Sequence, residues 1–191
     1  FEILPDDSED QFQFIDSIVS GRIPKEYIPS VEKGMRSMID KGTLAEFPVV
    51  NFACHLKDGS YHDVDSSDMA FQICAKDCFR EYFPKTKPVL LEPVMRLEIE
   101  APESFQGGIV GDITSRRGII ESTDMQSDGN MIVICEVPLS ETFGYATDLR
   151  SLTQGRGTFS MELKGYRRAP MSVQEEVIDR KSTRLNSSHS S

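Results

Sequence analysis

Hydrophobic and polar positions along this chain switch between a period of two and a period near four, and the switches divide it into elements. After the acidic loop Asp6 to Asp10, Phe12 to Ile18 is predicted as a strand. Pro24 suits the first turn of a helix, in which Ile28, Val31, Met35, Met38 and Ile39 recur at helical spacing until Gly42. In the next strand Val50, Phe52, Cys54 and Leu56 share one face, and Asn51 and His55 share the other. A second helix is predicted from about Ser67 to Phe83, where Pro84 stops it.

The pattern then starts again, more cleanly. Met95, Leu97 and Ile99 alternate with Arg96, Glu98 and Glu100, as in a half-buried strand. Phe105, Ile109 and Ile113 follow at a four-residue period, with Gly118 placed to cap that helix. A strand near Ile119 to Asp124 turns through Ser127-Asp128-Gly129-Asn130 into another from Met131 to Val137. Ser140 is a candidate N-cap for a helix carrying Phe143, Ala146, Leu149 and Leu152 and ending at Gly155. Phe159, Met161 and Leu163 then alternate with Thr158, Ser160 and Glu162. The order strand-helix-strand-strand-helix-strand is that of a ferredoxin-like βαββαβ sandwich. The fold class is therefore α+β, in two αβ units. In the second unit Met95, Leu97, Ile99, Phe105, Ile109, Val133, Phe143, Leu149, Phe159 and Met161 are expected in the core.

Length, 191 residues, allows one or two domains with a real core. No apolar run approaches the ~20 residues of a membrane helix, and no signal-peptide pattern opens the chain. A net charge of −10 argues against a general nucleic-acid coat, so any RNA contact must use a local basic patch or a fit of shape. The four cysteines read as thiols of a reducing compartment, with Cys74 and Cys78 buried one helical turn apart against the sheet. Zinc would want closer cysteine pairs with histidines nearby. The serine-rich stretch 181–191 has no hydrophobic period and resembles a translated sequencing-adapter read-through; without Lys181 and Arg184 the net charge falls to −12. The chain opens on Phe1 rather than methionine, and both ends read as cut.

Candidate chemistry concentrates in Gly59 to Ser67, where Ser60, Tyr61, His62, Asp63, Ser66 and Ser67 form a compact polar turn between a strand and a helix. Serine, histidine and aspartate side by side do not make a hydrolase, since triad residues converge through the fold and need an oxyanion hole, and no G-x-S-x-G elbow is present. Asp65 or Ser66 is expected to cap the next helix. As a binding tip the turn offers an imidazole that can stack on a base or donate to a sugar or phosphate oxygen, beside a helix N-terminus suited to phosphate. Arg116 and Arg117 end a helix, where cations satisfy the carbonyl end, and Arg150 and Arg156 lie further on. Thr153-Gln154-Gly155-Arg156-Gly157 follows a helix rather than a strand, so it is no phosphate cradle, and no G-x-x-x-x-G-K-[ST] loop occurs.

The wording of four segments resembles bacterial elongation factor G, the ribosomal translocase: Gly21 to Pro29, Gly59 to Phe71, Pro88 to Met95 and Phe143 to Ser151, in that order. The resemblance implies most of that family's domain IV at residues 1–88, a ribosomal protein S5 domain 2-like fold whose N-terminal strand is missing. It implies a ferredoxin-like domain V at 89–168, then a C-terminal helix at 169–180. It further implies a cytoplasmic, monomeric factor that moves transfer RNA and messenger RNA through the ribosomal A site, with Ser60 to Ser67 as the decoding-centre tip and His62 at the position that the eukaryotic relative modifies to diphthamide. Arg116, Arg117, Arg150 and Arg156 become candidates for docking on ribosomal RNA. GTP and magnesium belong to the full-length protein's first domain, so no cofactor, no GTPase activity, no membrane and no DNA are expected for this region. A ribosome-protection or recycling GTPase on the same scaffold carries different tip wording. A ferredoxin-like regulatory module would instead need a defined small-molecule pocket.

Overall fold

The computed structural model describes the backbone of residues 1–7 and 11–188, with side chains through Lys181. Residues 8–10 of the acidic loop lie outside the described residues. The chain divides into two compact units. The first holds β1 (Glu2–Pro5), β2 (Phe12–Asp16), α1 (Ile28–Ile39), β3 (Phe52–Leu56), α2 (Asp68–Tyr82) and a C-terminal helix, α5 (Met171–Ser188). The second holds β4 (Leu91–Pro102), α3 (Gln106–Ser115), β5 (Ile119–Met125), β6 (Asn130–Pro138), α4 (Tyr145–Leu152) and β7 (Thr158–Arg168). The class is α+β, as the two periods require.

In the first unit β3 is the central strand, antiparallel to β1 and parallel to β2, so α1 forms the crossover between β2 and β3. The sequence pattern missed β1, a four-residue strand ending in proline. Phe52, Cys54 and Leu56 are buried on the predicted face of β3. α1 turns in Val31 and Met35, and α2 turns in Ala75 and Phe79. The two helices cross so closely that a Cβ on Gly34 would lie 2.5 Å from the Gln72 carbonyl oxygen. α1 begins later than Pro24 suggests, because Lys25–Tyr27 first makes a 3-10 turn. Two buried clusters result, one around Met35, Phe52, Cys54, Phe79 and Phe83, the other around Ile23, Val31, Leu56 and Ala75.

Cys74 and Cys78 correct the sequence reading. Cys74 is exposed and Cys78 only half-buried. Side chains one residue apart on a helix diverge by about 100°, so once Ala75 and Phe79 face the sheet, Cys74 and Cys78 turn toward its flank. Cys54 and Cys135 are buried as expected.

The second unit is a four-stranded antiparallel sheet in the order β5-β6-β4-β7, the split βαβ arrangement. One core joins Met95, Leu97, Ile99, Ile109, Ile113, Met131, Val133, Cys135, Val137, Tyr145 and Leu149, with Phe105 and Phe159 partly buried against it. Two expected core residues are not there. Phe143 is 77 % exposed, because Leu139–Glu141 forms a 3-10 turn and α4 starts only after Gly144, whose left-handed φ of 79° carries the chain past Phe143 and places Tyr145 inside. Gly144, not Ser140, is therefore the N-cap. Met161 pairs with Leu97 in the predicted register yet is 43 % exposed, since β7 is an edge strand. The left-handed residue ending α3 is Arg117, and Gly118 serves close packing, where a Cβ would lie 2.5 Å from Ile113 Cγ2.

Helix α5 spans Met171–Ser188, longer than the 169–180 expected. Side chains beyond Lys181, and residues 189–191 altogether, lie outside the described residues, and with them most of the stretch read as adapter sequence. No described helix is long and apolar enough to cross a membrane.

Candidate RNA-facing tip and its basic counterpart

The polar turn is built from both ends inward. At its start Asp58 accepts from the Gly59 amide at 2.8 Å and from Arg22 at 2.6 Å. Those bonds, the Arg22 bond first, hold the Asp58 carboxyl below its ordinary range. Gly59 passes over Ile23 so tightly that a Cβ would lie 2.4 Å from Ile23 Cδ1. Ser60 is exposed. The Tyr61 ring stacks on Tyr27 (centroids 5.8 Å), and Tyr27 stacks on Phe71 of α2 (4.9 Å). Desolvation first, then the Asp63 carboxylate, raises the Tyr61 phenol above its ordinary value.

The turn itself is closed reciprocally. The His62 amide donates to Ser66 Oγ at 2.9 Å, and the Ser66 amide donates to the His62 carbonyl at 3.0 Å. His62, Asp63, Val64 and Asp65 stand out as exposed residues on a loop closed at both ends. Ser67 then caps α2, accepting from the Ala70 amide at 3.1 Å, so neither Asp65 nor Ser66 is the cap. Asp68 accepts from Ser30 of α1 at 2.6 Å. With Ser67 capping the helix and Asp65 and Asp68 flanking it in sequence, this N-terminus does not favour phosphate. The loop is equipped instead for hydrogen bonds and for ring stacking by His62.

The four arginines of the second unit separate into two kinds. Arg116 donates to Asp112 at 2.9 Å, to the Glu141 carbonyl at 2.7 Å and to Asp148, and its guanidinium lies 5.2 Å from the centre of the Tyr145 ring. Burial would lower its guanidinium, but the two carboxylates outweigh that and raise it. Arg117 makes a two-pronged pair with Glu92, both bonds at 2.9 Å, and reaches Glu141 at 3.1 Å. Glu92 is only 8 % exposed. These two cations tie helix ends and strand together within their own unit. Arg150 and Arg156, in contrast, are exposed and show no side-chain ion pair among the described residues. The loop between them is pinned by buried Thr153, which donates to Leu149 O at 2.6 Å and accepts from Gly157 N at 2.8 Å.

Sequence reasoning did not single out Arg22, Tyr27 or Glu92 as supports of these sites. Glu92 left one trace, a single carboxylate inside an apolar run. No cluster of three or more potential metal ligands occurs among the described residues.

Residues 1–87 match the family model described as elongation factor G, domain IV, and residues 89–177 match the one described as elongation factor G C-terminus. The chain belongs to the elongation factor G family. Elongation factor G of Rhodopirellula baltica is 56 % identical over 175 residues, which cover 92 % of this chain and 25 % of the relative. A crystal structure of a Thermus thermophilus protein superimposes with a TM-score of 0.83 at 35 % identity, covering 95 % of this chain and 27 % of that one. The chain thus spans about a quarter of the length of these relatives.

Proposed function

We propose that this chain is the reaching and docking portion of a cytoplasmic translocase, which moves transfer RNA and messenger RNA through the ribosome. Residues 1–88 act as domain IV, residues 89–168 as domain V, and 169–180 as the closing helix. The observation that carries this reading is the His62 turn: an exposed imidazole on a loop locked by reciprocal hydrogen bonds, in a chain of the elongation factor G family. A locked turn costs little further ordering when it enters an RNA site, so its stacking and hydrogen bonds are not spent on freezing the loop. The role is positional, and no residue here acts as a chemical catalyst.

Ribosomal RNA is the partner of the second unit, contacted through Arg150 and Arg156, whose charges are not neutralised internally. Arg116 and Arg117 support that surface from beneath. GTP and its magnesium act elsewhere in the full-length factor, because no G-x-x-x-x-G-K-[ST] phosphate loop is present in these 191 residues.

The test is single-round messenger movement alongside phosphate release, in full-length elongation factor G carrying this region. His62→Ala slows movement about tenfold or more, the worth of one lost base stack, while phosphate release keeps its rate. Equal slowing of both would assign His62 to stability or docking, and no change in either would end the tip reading.

A further inference from the structure

Tyr61 sits beside His62 and, by composition alone, is a second base-stacking ring. The geometry gives it another task. Its ring is already engaged by Tyr27, which is engaged in turn by Phe71 at an interplanar angle of 22°. Tyr27 ends the 3-10 turn that leads into α1, and Phe71 lies in the first turn of α2. The three rings therefore join the tip to the start of α1 and to α2. Two further contacts act at the same end, the Arg22–Asp58 pair at 2.6 Å and the close passage of Gly59 over Ile23. The chain is thus fixed through Tyr61, and the next residue opens the closed turn 62–66. A side chain directly after a fixed ring, on a closed turn, has its direction set before any partner arrives.

We infer that Tyr27 is a positioning residue for His62, acting through Tyr61, and that Tyr61 serves as the link in this chain of rings rather than as a contact to RNA. The inference rests on the tip reading above. It predicts that Tyr27 and Tyr61 behave as one unit. As far as the tip is concerned, removing either ring breaks the same Tyr27–Tyr61 link, and removing both breaks nothing more of it.

The experiment uses full-length elongation factor G carrying this region, with Tyr27→Leu, Tyr61→Leu, the double variant, Tyr27→Phe and His62→Ala. Amide hydrogen exchange over residues 60–66 and single-round messenger movement are read side by side, with phosphate release as the control. Tyr27→Leu and Tyr61→Leu should each speed exchange and slow movement about three- to tenfold, the worth of one aromatic pair. The double variant should equal either single one, and Tyr27→Phe, which keeps the stacking ring, should match the wild type in both readouts. Unchanged exchange in Tyr27→Leu overturns the proposal. So does slowing by Tyr61→Leu but not by Tyr27→Leu, which would make Tyr61 a direct contact. Tyr61 is already 36 % exposed, so its variant keeps the test available if Tyr27→Leu does not fold. Movement unaffected by Tyr27→Leu but slowed by His62→Ala overturns the positioning role and leaves the tip reading standing. Movement unaffected by His62→Ala ends both.

Discussion

The two units treat their polar groups in opposite ways. In the second unit the charges nearest the core are neutralised in place: Arg117 clamps Glu92 and Glu141, Arg116 clamps Asp112 and Asp148, and Lys164 bridges Glu121 and Glu136. In the first unit two reciprocal hydrogen bonds close the turn at His62 and Ser66, while the side chains of His62, Asp63 and Asp65 stay exposed. One unit is a platform and the other presents a loop. A platform gains from a single continuous core, and the second unit has one, whereas the first divides its apolar residues between two clusters. The lesson is that exposure alone does not mark function. What sets the His62 turn apart is exposure on a loop closed by its own hydrogen bonds.

The sharpest contrast lies in the thiols. Burial pushes Cys54 and Cys135 up to about 12, whereas Cys74 is exposed. Against an ordinary value of 9.0, that leaves about a thousandfold less thiolate at neutral pH. A thiol reagent under native conditions should modify Cys74 at once and Cys78 more slowly, all in the first unit, and should spare the second unit until it unfolds. Early modification of Cys54 or Cys135 would show that these two thiols are not shielded as their burial requires.

Next in size is the clamp. Arg117→Ala strands Glu92, whose side chain is 10 % exposed, and should cost about 2–4 kcal/mol in chemical denaturation. Arg150→Ala, on the same unit, should leave stability unchanged, since that exposed side chain has no ion-pair partner among the described residues. Equal losses would refute the division of the arginines into supporting and presenting kinds.

These differences explain what the sequence could and could not reveal. Alternation in β4 and β6 identifies the second core, because one face of a sheet packs on helices and the other meets water. It cannot tell that β7 lies at the edge, so Met161 falls on the correct face and still meets solvent. Nor can it show that the left-handed Gly144 exchanges Phe143 for Tyr145. In α2 the apolar residues Met69, Ala70, Phe71, Ile73, Cys74, Ala75, Cys78 and Phe79 surround the helix, so periodicity does not choose a face, and it puts Cys74 and Cys78 on the wrong one. The tip was legible as a polar turn before a helix, with His62 exposed in it. Its support was not, because Tyr27 and Arg22 meet Tyr61 and Asp58 only after the chain has folded.

Smaller still is the effect of the one unsatisfied hydroxyl. Tyr145 is 2 % exposed, and its phenol oxygen is the single buried side-chain polar atom without a partner among the described residues. Desolvation first, then nearby Cys135 and Asp112, raises that phenol above its ordinary value. Tyr145→Phe removes the orphan and keeps both the edge-on contact with Phe159 and the ring beneath Arg116. Stability should hold or rise by up to about 1 kcal/mol, and a loss of that size would mean the hydroxyl has a partner in solution.

The smallest effect is local to the tip and has a defined sign. The Asp58 carboxyl is lowered in the folded chain, first by Arg22 and then by the Gly59 amide. A carboxyl lowered on folding contributes stability that is present above its unfolded value and is lost as pH falls through its folded value. The Arg22–Asp58 anchor is therefore intact at neutral pH and opens only in acid, below the ordinary carboxylate range. Both side chains are more than half exposed, so its loss should leave the unfolding midpoint unmoved. Carboxyl-carbon NMR titration is the measure. In Arg22→Ala the Asp58 midpoint should rise toward the ordinary aspartate value without reaching it, because the Gly59 amide still donates at 2.8 Å. A midpoint that ignores Arg22→Ala would mean that the pair does not form in solution. The aromatic chain through Tyr27 would then remain as the anchor that holds the tip.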